Sequence, residues 1–335
     1  MLMMSFDLET IPRLQHCLLP TPIVPMDRLS EHFGKAKIYV KRDDLTGIAI
    51  GGNKNRKLEF LLADALLKGS DSIITEGAVT SNHCVQTAAF SKRLGLDCEL
   101  VLSDSFVGEA MTGNLLLNKL LDVKIHRVHS SSDRKKKMFE IAEQLAHEGK
   151  QPYVIPTGGS NKVGILGYVA FMQELAEQSS QLELVFDYFV LATGSGGTQA
   201  GLIIGKKLYY PDLSIIGIGV GDKKKETGKA IREIVANFEK EWGLNLGISK
   251  KEIVILDQYA GEGYGKPTVK MIDTIKLVAK LEGLFLDPVY NGKAMVGLLD
   301  LIQQGEIPSD ANVLFLHSGG IPAIFTYQKY FLEKF

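Results

Sequence analysis

The sequence predicts an α/β fold: two parallel or mostly parallel sheets flanked by helices. Short apolar runs rich in β-branched residues recur along nearly the whole chain, and stretches with helical spacing lie between most of them. Clusters of glycine and small polar residues fall where a strand candidate gives way to a helix candidate, the place where open α/β sheets gather ligands.

The strand candidates, in order, are residues 37–43, 72–77, 98–103, 123–128, 152–156, 188–193, 214–220, 253–256 and 313–317. Residues 58–69 form the first helix candidate, with Leu58, Leu61, Leu62, Ala65 and Leu66 at helical spacing and Gly69 as its stop. Further helical patterns cover 82–94, 112–121, 133–148, 163–178, 198–208, 225–241, 266–282 and 322–331, and another begins just after Tyr290. No period of 20–50 residues repeats and no low-complexity linker appears. A second domain is therefore expected to arise from an excursion of the chain out of a larger sheet and back.

Bulk properties exclude several classes. The 335 residues can hold two ordinary domains or one large one. With 38 basic and 39 acidic residues there is no global field to draw nucleic acid or an anionic membrane. The first residues carry Asp7 and Glu9 and lack the pattern of a signal peptide, and no segment approaches the roughly 18 apolar residues of a membrane span. A soluble cytoplasmic protein is expected. Cys17, Cys84 and Cys98 are too few and too scattered for a disulfide framework or a zinc cluster, and read as free, buried thiols. The polar runs 130–137 and 221–229 read as solvated loops and helix starts.

Chemistry concentrates in a few stretches. In GGNKNRK (51–57), Lys54 sits near the first turn of a helix, where the dipole disfavours a cation; it is either a solvated lysine or an amine held for a cofactor aldehyde. TGSGGTQAGL (193–202) places Gly194, Gly196 and Gly197, with the hydroxyls of Ser195 and Thr198, between a strand and a helix. That arrangement suits a phosphate monoester, and it matches neither G-x-G-x-x-G nor a P-loop ending in Gly-Lys. EGAVTSNHCVQTAAF (76–90) puts Ser81, Asn82 and His83 at a helix cap and first turn, fit either for plain capping or for holding a carboxylate. DPVYNGKAM (287–295), HSGG (317–320) and GEGYGKP (261–267) add Tyr290, Ser318 and Tyr264. A lysine amine, a phosphate cradle and a carboxylate site together, with no metal-ligand cluster, fit pyridoxal 5'-phosphate, which serves as an electron sink for a substrate carbanion.

Taken together, GGNKNRK, SNH, TGSGGTQAG, DPVYNGKAM and HSGG resemble the 1-aminocyclopropane-1-carboxylate deaminase and D-cysteine desulfhydrase family, over nearly the whole chain from Thr21 onward. The resemblance implies the tryptophan-synthase β-subunit-like fold of pyridoxal phosphate enzymes and a homodimer. It also implies roles: Lys54 bonded to the cofactor and moving the proton, Asn82 at the ring hydroxyl, Ser81 and His83 at the substrate carboxylate. Residues Gly194 to Thr198 would hold the phosphate, Ser318 would face the pyridine nitrogen, and Tyr264 and Tyr290 would stand over the substrate.

Within that family the deaminase pattern has glutamate after the tyrosine of the PVY motif, glutamine after Ser-Asn, and no hydroxyl before the final glycines. Here Asn291, His83 and Ser318 hold those places. The desulfhydrase pattern shares the histidine and the hydroxyl but has threonine where Asn291 stands. β-Elimination from D-cysteine, giving pyruvate, sulfide and ammonia, is the leading expectation, and opening of 1-aminocyclopropane-1-carboxylate to 2-oxobutanoate and ammonia is the alternative. A silent pyridoxal-phosphate-binding protein is more remote, and a nicotinamide dehydrogenase lacks its fingerprint. The expected division is a large cofactor domain of residues 1–60 and 165–335 around a smaller α/β domain of residues 61–164.

Overall fold

The computed structural model describes residues 6–104, 111–221 and 223–332. Its strands are β1 (Ile23–Pro25), β2 (Lys37–Lys41), β3 (Ser72–Ala78), β4 (Asp97–Ser103), β5 (Lys124–Val128), β6 (Pro152–Val154), β7 (Tyr188–Thr193), β8 (Ser214–Gly219), β9 (Val254–Leu256) and β10 (Asn312–Leu316). The helices are α1 (Asp27–Phe33), α2 (Asn53–Leu67), α3 (Asn82–Arg93), α4 (Gly113–Leu120), α5 (Ser131–His147), α6 (Leu166–Gln181), α7 (Gly197–Tyr209), α8 (Lys224–Trp242), α9 (Val269–Glu282), α10 (Asn291–Gln304), α11 (Pro322–Thr326) and α12 (Gln328–Leu332).

Two sheets result. The larger has the order β1-β2-β10-β7-β8-β9 and the smaller β5-β4-β3-β6. Every pairing is parallel except β1 with β2. The larger sheet takes strands from both ends of the chain, and the smaller uses only what lies between. Central β3 is buried at all seven positions, as expected of a parallel strand covered on both faces. On one face of the larger sheet Phe171 of α6, Ile204 of α7 and Phe238 of α8 pack with Phe189. On the other, Met271 and Ile275 of α9 and Leu298 and Ile302 of α10 pack with Val190 and Phe315.

An ionic network fixes α2 on this frame. Arg56 is 1% exposed and donates to both oxygens of Asp43 at 2.9 Å, to both of Glu174 at 2.7 and 2.9 Å, and to Thr21 Oγ1 at 3.0 Å. Tyr168 donates its hydroxyl to Asp43, and Lys41 bonds Glu174 at 2.6 Å. Three elements, β2, α2 and α6, thus share one satisfied buried cluster.

All nine strand expectations meet a strand. β1 and α1 were not foreseen. β1 is a three-residue edge strand ending in proline, and α1 buries one residue, Leu29, so neither carries an apolar pattern. The expected helix 322–331 divides at Tyr327, a buried residue whose hydroxyl donates to Gly265 O and draws the chain inward. The run 130–137 is a helix start capped by Ser130, yet Arg134 within it turns inward, against its reading as solvated, with Nε 2.7 Å from buried Glu76.

Candidate active site

Strand ends of both sheets face a cavity of about 530 Å³, lined by Lys54, Ser81, Asn82, His83, Gly194, Ser195, Gly196, Thr198, Tyr264, Tyr290 and Ser318 among others. All the candidates from distant parts of the sequence except Gly197, which sits behind its neighbours in the loop, therefore line one hollow. A wider hollow of about 930 Å³ between residues 8–20 and α6 contains none of them.

Lys54 is the second residue of α2, and burial lowers its amine to about 8. Lys57, one turn further on, is 1% exposed and donates to Gly158 O at 3.1 Å. Burial and the charge of Lys54 press its pKa well below the usual lysine range. Two glycine loops converge beside it. Ser160 and Ser195 join through their hydroxyls at 2.8 Å, and Asn53 donates to Thr198 Oγ1 at 3.2 Å.

Gly196 has φ +79°, and Gly197 follows it into α7. A Cβ on Gly197 would strike Ser160 Oγ and lie 2.9 Å from Lys57 Nζ. The N–H groups of the first turn of α7 have no acceptor within the helix. The result is a small cradle of amides, hydroxyls and one lysine amine at a positive helix end, which suits a phosphate monoester whose charge would hold that amine protonated.

Also lining the cavity, Ser81 caps α3, its oxygen accepting Cys84 N–H at 3.2 Å, so its own hydrogen is left to donate. Asn114 donates to Asn82 Oδ1 at 2.7 Å, which leaves the Asn82 amide hydrogens as donors. The tautomer of His83 follows from its partner. Thr75 gives its hydrogen to Ile155 O, so the 2.8 Å contact between Thr75 Oγ1 and His83 Nε2 must use an Nε2 hydrogen. Burial, with Lys54 and Lys57 nearby, pushes the histidine well below its usual range, so it is neutral. Nδ1 is then a buried, unpartnered lone pair. It can accept from a donor but cannot bind a carboxylate, a task left to Ser81 and the free amides of the helix start.

Tyr264 and Tyr290 meet hydroxyl to hydroxyl at 2.6 Å, with rings 5.8 Å apart at 70°. Burial raises Tyr264 to about 12 and Tyr290 well above the usual phenol range, so both are neutral. Ser318 ends β10. The glycines after it, each at φ +93°, let the backbone pass within contact of Gly52 on one side and of Asp287 and Asn82 on the other.

Burial holds Cys84 and Cys98 up near 12, so both thiols are protonated and unreactive. Among the described residues no group of His, Cys, Asp and Glu could hold a metal, and no helix is long and apolar enough to cross a membrane.

An amine of lowered pKa, a phosphate cradle that a single Cβ would fill, and amide donors at Asn82 fit pyridoxal phosphate. The sequence matches the pyridoxal-phosphate dependent enzyme family over residues 14–319. The chain belongs to that family. It is 42% identical over 328 residues, 97% of each chain, to a protein of Pyrococcus abyssi (strain GE5 / Orsay) named provisionally as a 1-aminocyclopropane-1-carboxylate deaminase. It is 41% identical over 331 residues to the D-cysteine desulfhydrase of Yersinia enterocolitica, covering 97% of this chain and 98% of that one. A solved structure described as an ACC deaminase homologue shares 41% identity and a TM-score of 0.90 over 97% of both chains. The expected fold and cofactor class stand.

Sequence reasoning missed three contributors to this family member's site. Lys57 was passed over as part of a helix pattern, though it lies three residues after Lys54 and so on the same helix face. Residues 157–160, Thr-Gly-Gly-Ser, repeat the grammar of the 194–198 loop after a strand, and that signal could have been used. Arg134, in a run of charges, gave no signal apart from its neighbours.

Proposed function

We propose that this enzyme eliminates a β-substituent from a D-amino acid, with D-cysteine as substrate and pyruvate, sulfide and ammonia as products. The observation that carries the choice is Asn291, which stands where the deaminase pattern has a carboxylate. It is fully buried, and its amide is spent on Asp287, Gly319 and Ser318. Without a carboxylate there, opening an unactivated ring that lacks an α-hydrogen loses support, and loss of an α-proton followed by departure of a thiolate does not need it. Identity does not separate the two activities, at 41% to the Yersinia desulfhydrase and 42% to the deaminase-named Pyrococcus protein, so the choice rests on Asn291.

Bound pyridoxal phosphate supplies a conjugated ring that withdraws the electron pair left at the substrate α-carbon. The chain's own residues do the rest. Lys57 and the amides and hydroxyls of residues 194–198 hold the phosphate end. Asn82 donates to the ring hydroxyl. The Ser81 hydroxyl and the uncapped amides of Asn82 and His83 grip the substrate carboxylate. Lys54 would anchor the cofactor, and its Nζ, an amine of modest basicity, would be placed to take the substrate α-proton. Tyr264 and Tyr290 have two hydroxyl hydrogens and spend one on each other, which leaves one to offer the departing sulfur.

The enzyme is further proposed to act in the cytoplasm as a homodimer on a small amino acid, without nucleic acid or membrane. The near balance of 38 basic and 39 acidic residues accords with that. Residues 1–60 and 165–335 are proposed as the cofactor domain around a smaller domain of 61–164, and the division of strands between the two sheets supports it.

The test is product analysis. Sulfide and pyruvate from D-cysteine, at a rate above that of 2-oxobutanoate from 1-aminocyclopropane-1-carboxylate, would uphold the reading. Faster turnover of the cyclic substrate, or activity confined to L-amino acids, would overturn it.

A further inference from the structure

The side chain of Asn291 has contacts that admit only one orientation. One end lies 2.6 Å from Asp287 Oδ1 and 2.7 Å from Gly319 O, a carboxylate and a carbonyl, so it must be the NH2 group. The other lies 3.0 Å from the Ser318 backbone N–H, so it must be the oxygen. That oxygen is also 3.1 Å from Ser318 Oγ. An amide oxygen has nothing to donate, so the serine hydroxyl gives its hydrogen to Asn291 and keeps only lone pairs for whatever stands before it.

Asp287 locks the arrangement from behind. It is fully buried, and its two oxygens accept Val289 N–H at 2.9 Å, Tyr290 and Asn291 N–H at 2.8 Å, and the Asn291 side chain. Burial raises its pKa against the pull of these donors. Four donors and no acceptor surround it, so the ionised form suits the site, and a carboxyl hydrogen would have no partner. The Asn291 amide cannot turn over without setting its oxygen against that carboxylate and the Gly319 carbonyl.

We infer that Asn291 is a positioning residue that relays the charge of buried Asp287 to Ser318 and makes Ser318 a hydrogen-bond acceptor toward the cofactor ring nitrogen. The inference rests on the proposed function and on the placement of that nitrogen at Ser318 that the family resemblance implies. An acceptor favours a nitrogen that carries a proton, whereas a free hydroxyl would donate to a bare one. The ring of this enzyme is therefore more protonated than a free serine would leave it, and less than a facing carboxylate would make it. Asn291 tunes the electron sink without touching it.

The test is the nitrogen-15 resonance of ring-labelled pyridoxal phosphate bound to wild-type protein and to Asn291→Ala and Ser318→Ala. In the wild type the resonance is expected near the value of a proton-bearing ring nitrogen. Asn291→Ala, which frees the Ser318 hydrogen to donate, moves it toward bare, hydrogen-bonded pyridine, and Ser318→Ala also moves it. Ser318→Ala serves as the second variant should Asn291→Ala not fold, because it leaves the Asp287–Asn291 pair intact. A bare nitrogen in the wild type, or a resonance unmoved in both variants, overturns the inference. The absorbance band of the lysine-bound cofactor, read on the same samples, separates the two failures. Its presence with an unmoved resonance defeats the relay alone, and its absence from the wild type defeats the placement of the cofactor and the relay with it.

Discussion

Replacing Arg56 with methionine keeps much of the side-chain bulk and removes the charge that Asp43 and Glu174 share. Asp43 is fully buried and Glu174 side-chain exposure is 13%, so both carboxylates would be left poorly solvated. Removing one partner of a buried ion pair costs about 3–5 kcal/mol. At about 2.1 cal/mol/K of unfolding entropy per residue, 335 residues give about 0.7 kcal/mol/K, so Tm should fall by about 4–7 °C if the chain melts as one unit. The assay is thermal unfolding at neutral pH, with Asp43→Leu added to Arg56→Met as the control. The double variant should recover part of the loss, since it no longer strands Asp43 as a buried anion. Acid adds a second limb. Arg56 and Lys41 hold Glu174 down to about 2 against an ordinary 4.5. A depressed carboxylate contributes stability above its unfolded pKa and loses it as pH falls, so the wild type should lose this contribution between about pH 4.5 and 2, and the variant should lose less. An unchanged Tm in Arg56→Met would refute the claim that this network anchors α2, and with it Lys54.

Lys57→Met removes from the proposed phosphate cradle an amine that the bound phosphate's charge would hold protonated; a charged hydrogen bond is worth about 1.5–3 kcal/mol, so the Kd for pyridoxal phosphate should rise about 10- to 150-fold in equilibrium titration. Tyr290→Phe removes one hydroxyl of the 2.6 Å pair and should lower kcat on the order of 10²-fold, with cofactor affinity unchanged by the same titration. The attachment rate of pyridoxal phosphate to cofactor-free protein should rise with pH and reach half its plateau at about 8, because the neutral Lys54 amine attacks and burial sets its pKa there. A midpoint above pH 10 in stopped-flow absorbance would contradict the buried position of that amine.

Six of the nine foreseen strands, β2, β3, β4, β7, β8 and β10, lie inside their sheets and were readable as compact apolar runs, the pattern of parallel strands covered on both faces; the edges β5, β6 and β9 showed through their β-branched residues between helical patterns. β1 and α1 were not, since Pro25 and the polar face of residues 27–33 erase the pattern that marks an element. That Lys54 and the 194–198 loop line one cavity was readable, because glycines and small polar residues at strand-to-helix junctions are where open α/β sheets gather ligands. Lys57 and Arg134 were not, since a lysine or arginine in a helix reads as solvated until its surroundings are known. The orientation of Asn291 and the tautomer of His83 lie further from the sequence. Each is fixed by partners distant along the chain: Gly319 for the first, and Thr75 with Ile155 for the second.

The central claim is that Lys54 holds pyridoxal phosphate in the cavity between the two sheets. The most direct test is the absorbance spectrum of the purified protein reconstituted with the cofactor, beside that of Lys54→Ala. A band near the visible edge in the wild type, absent from the variant, is the predicted result. No band in the wild type, or the same band in both, would contradict the account.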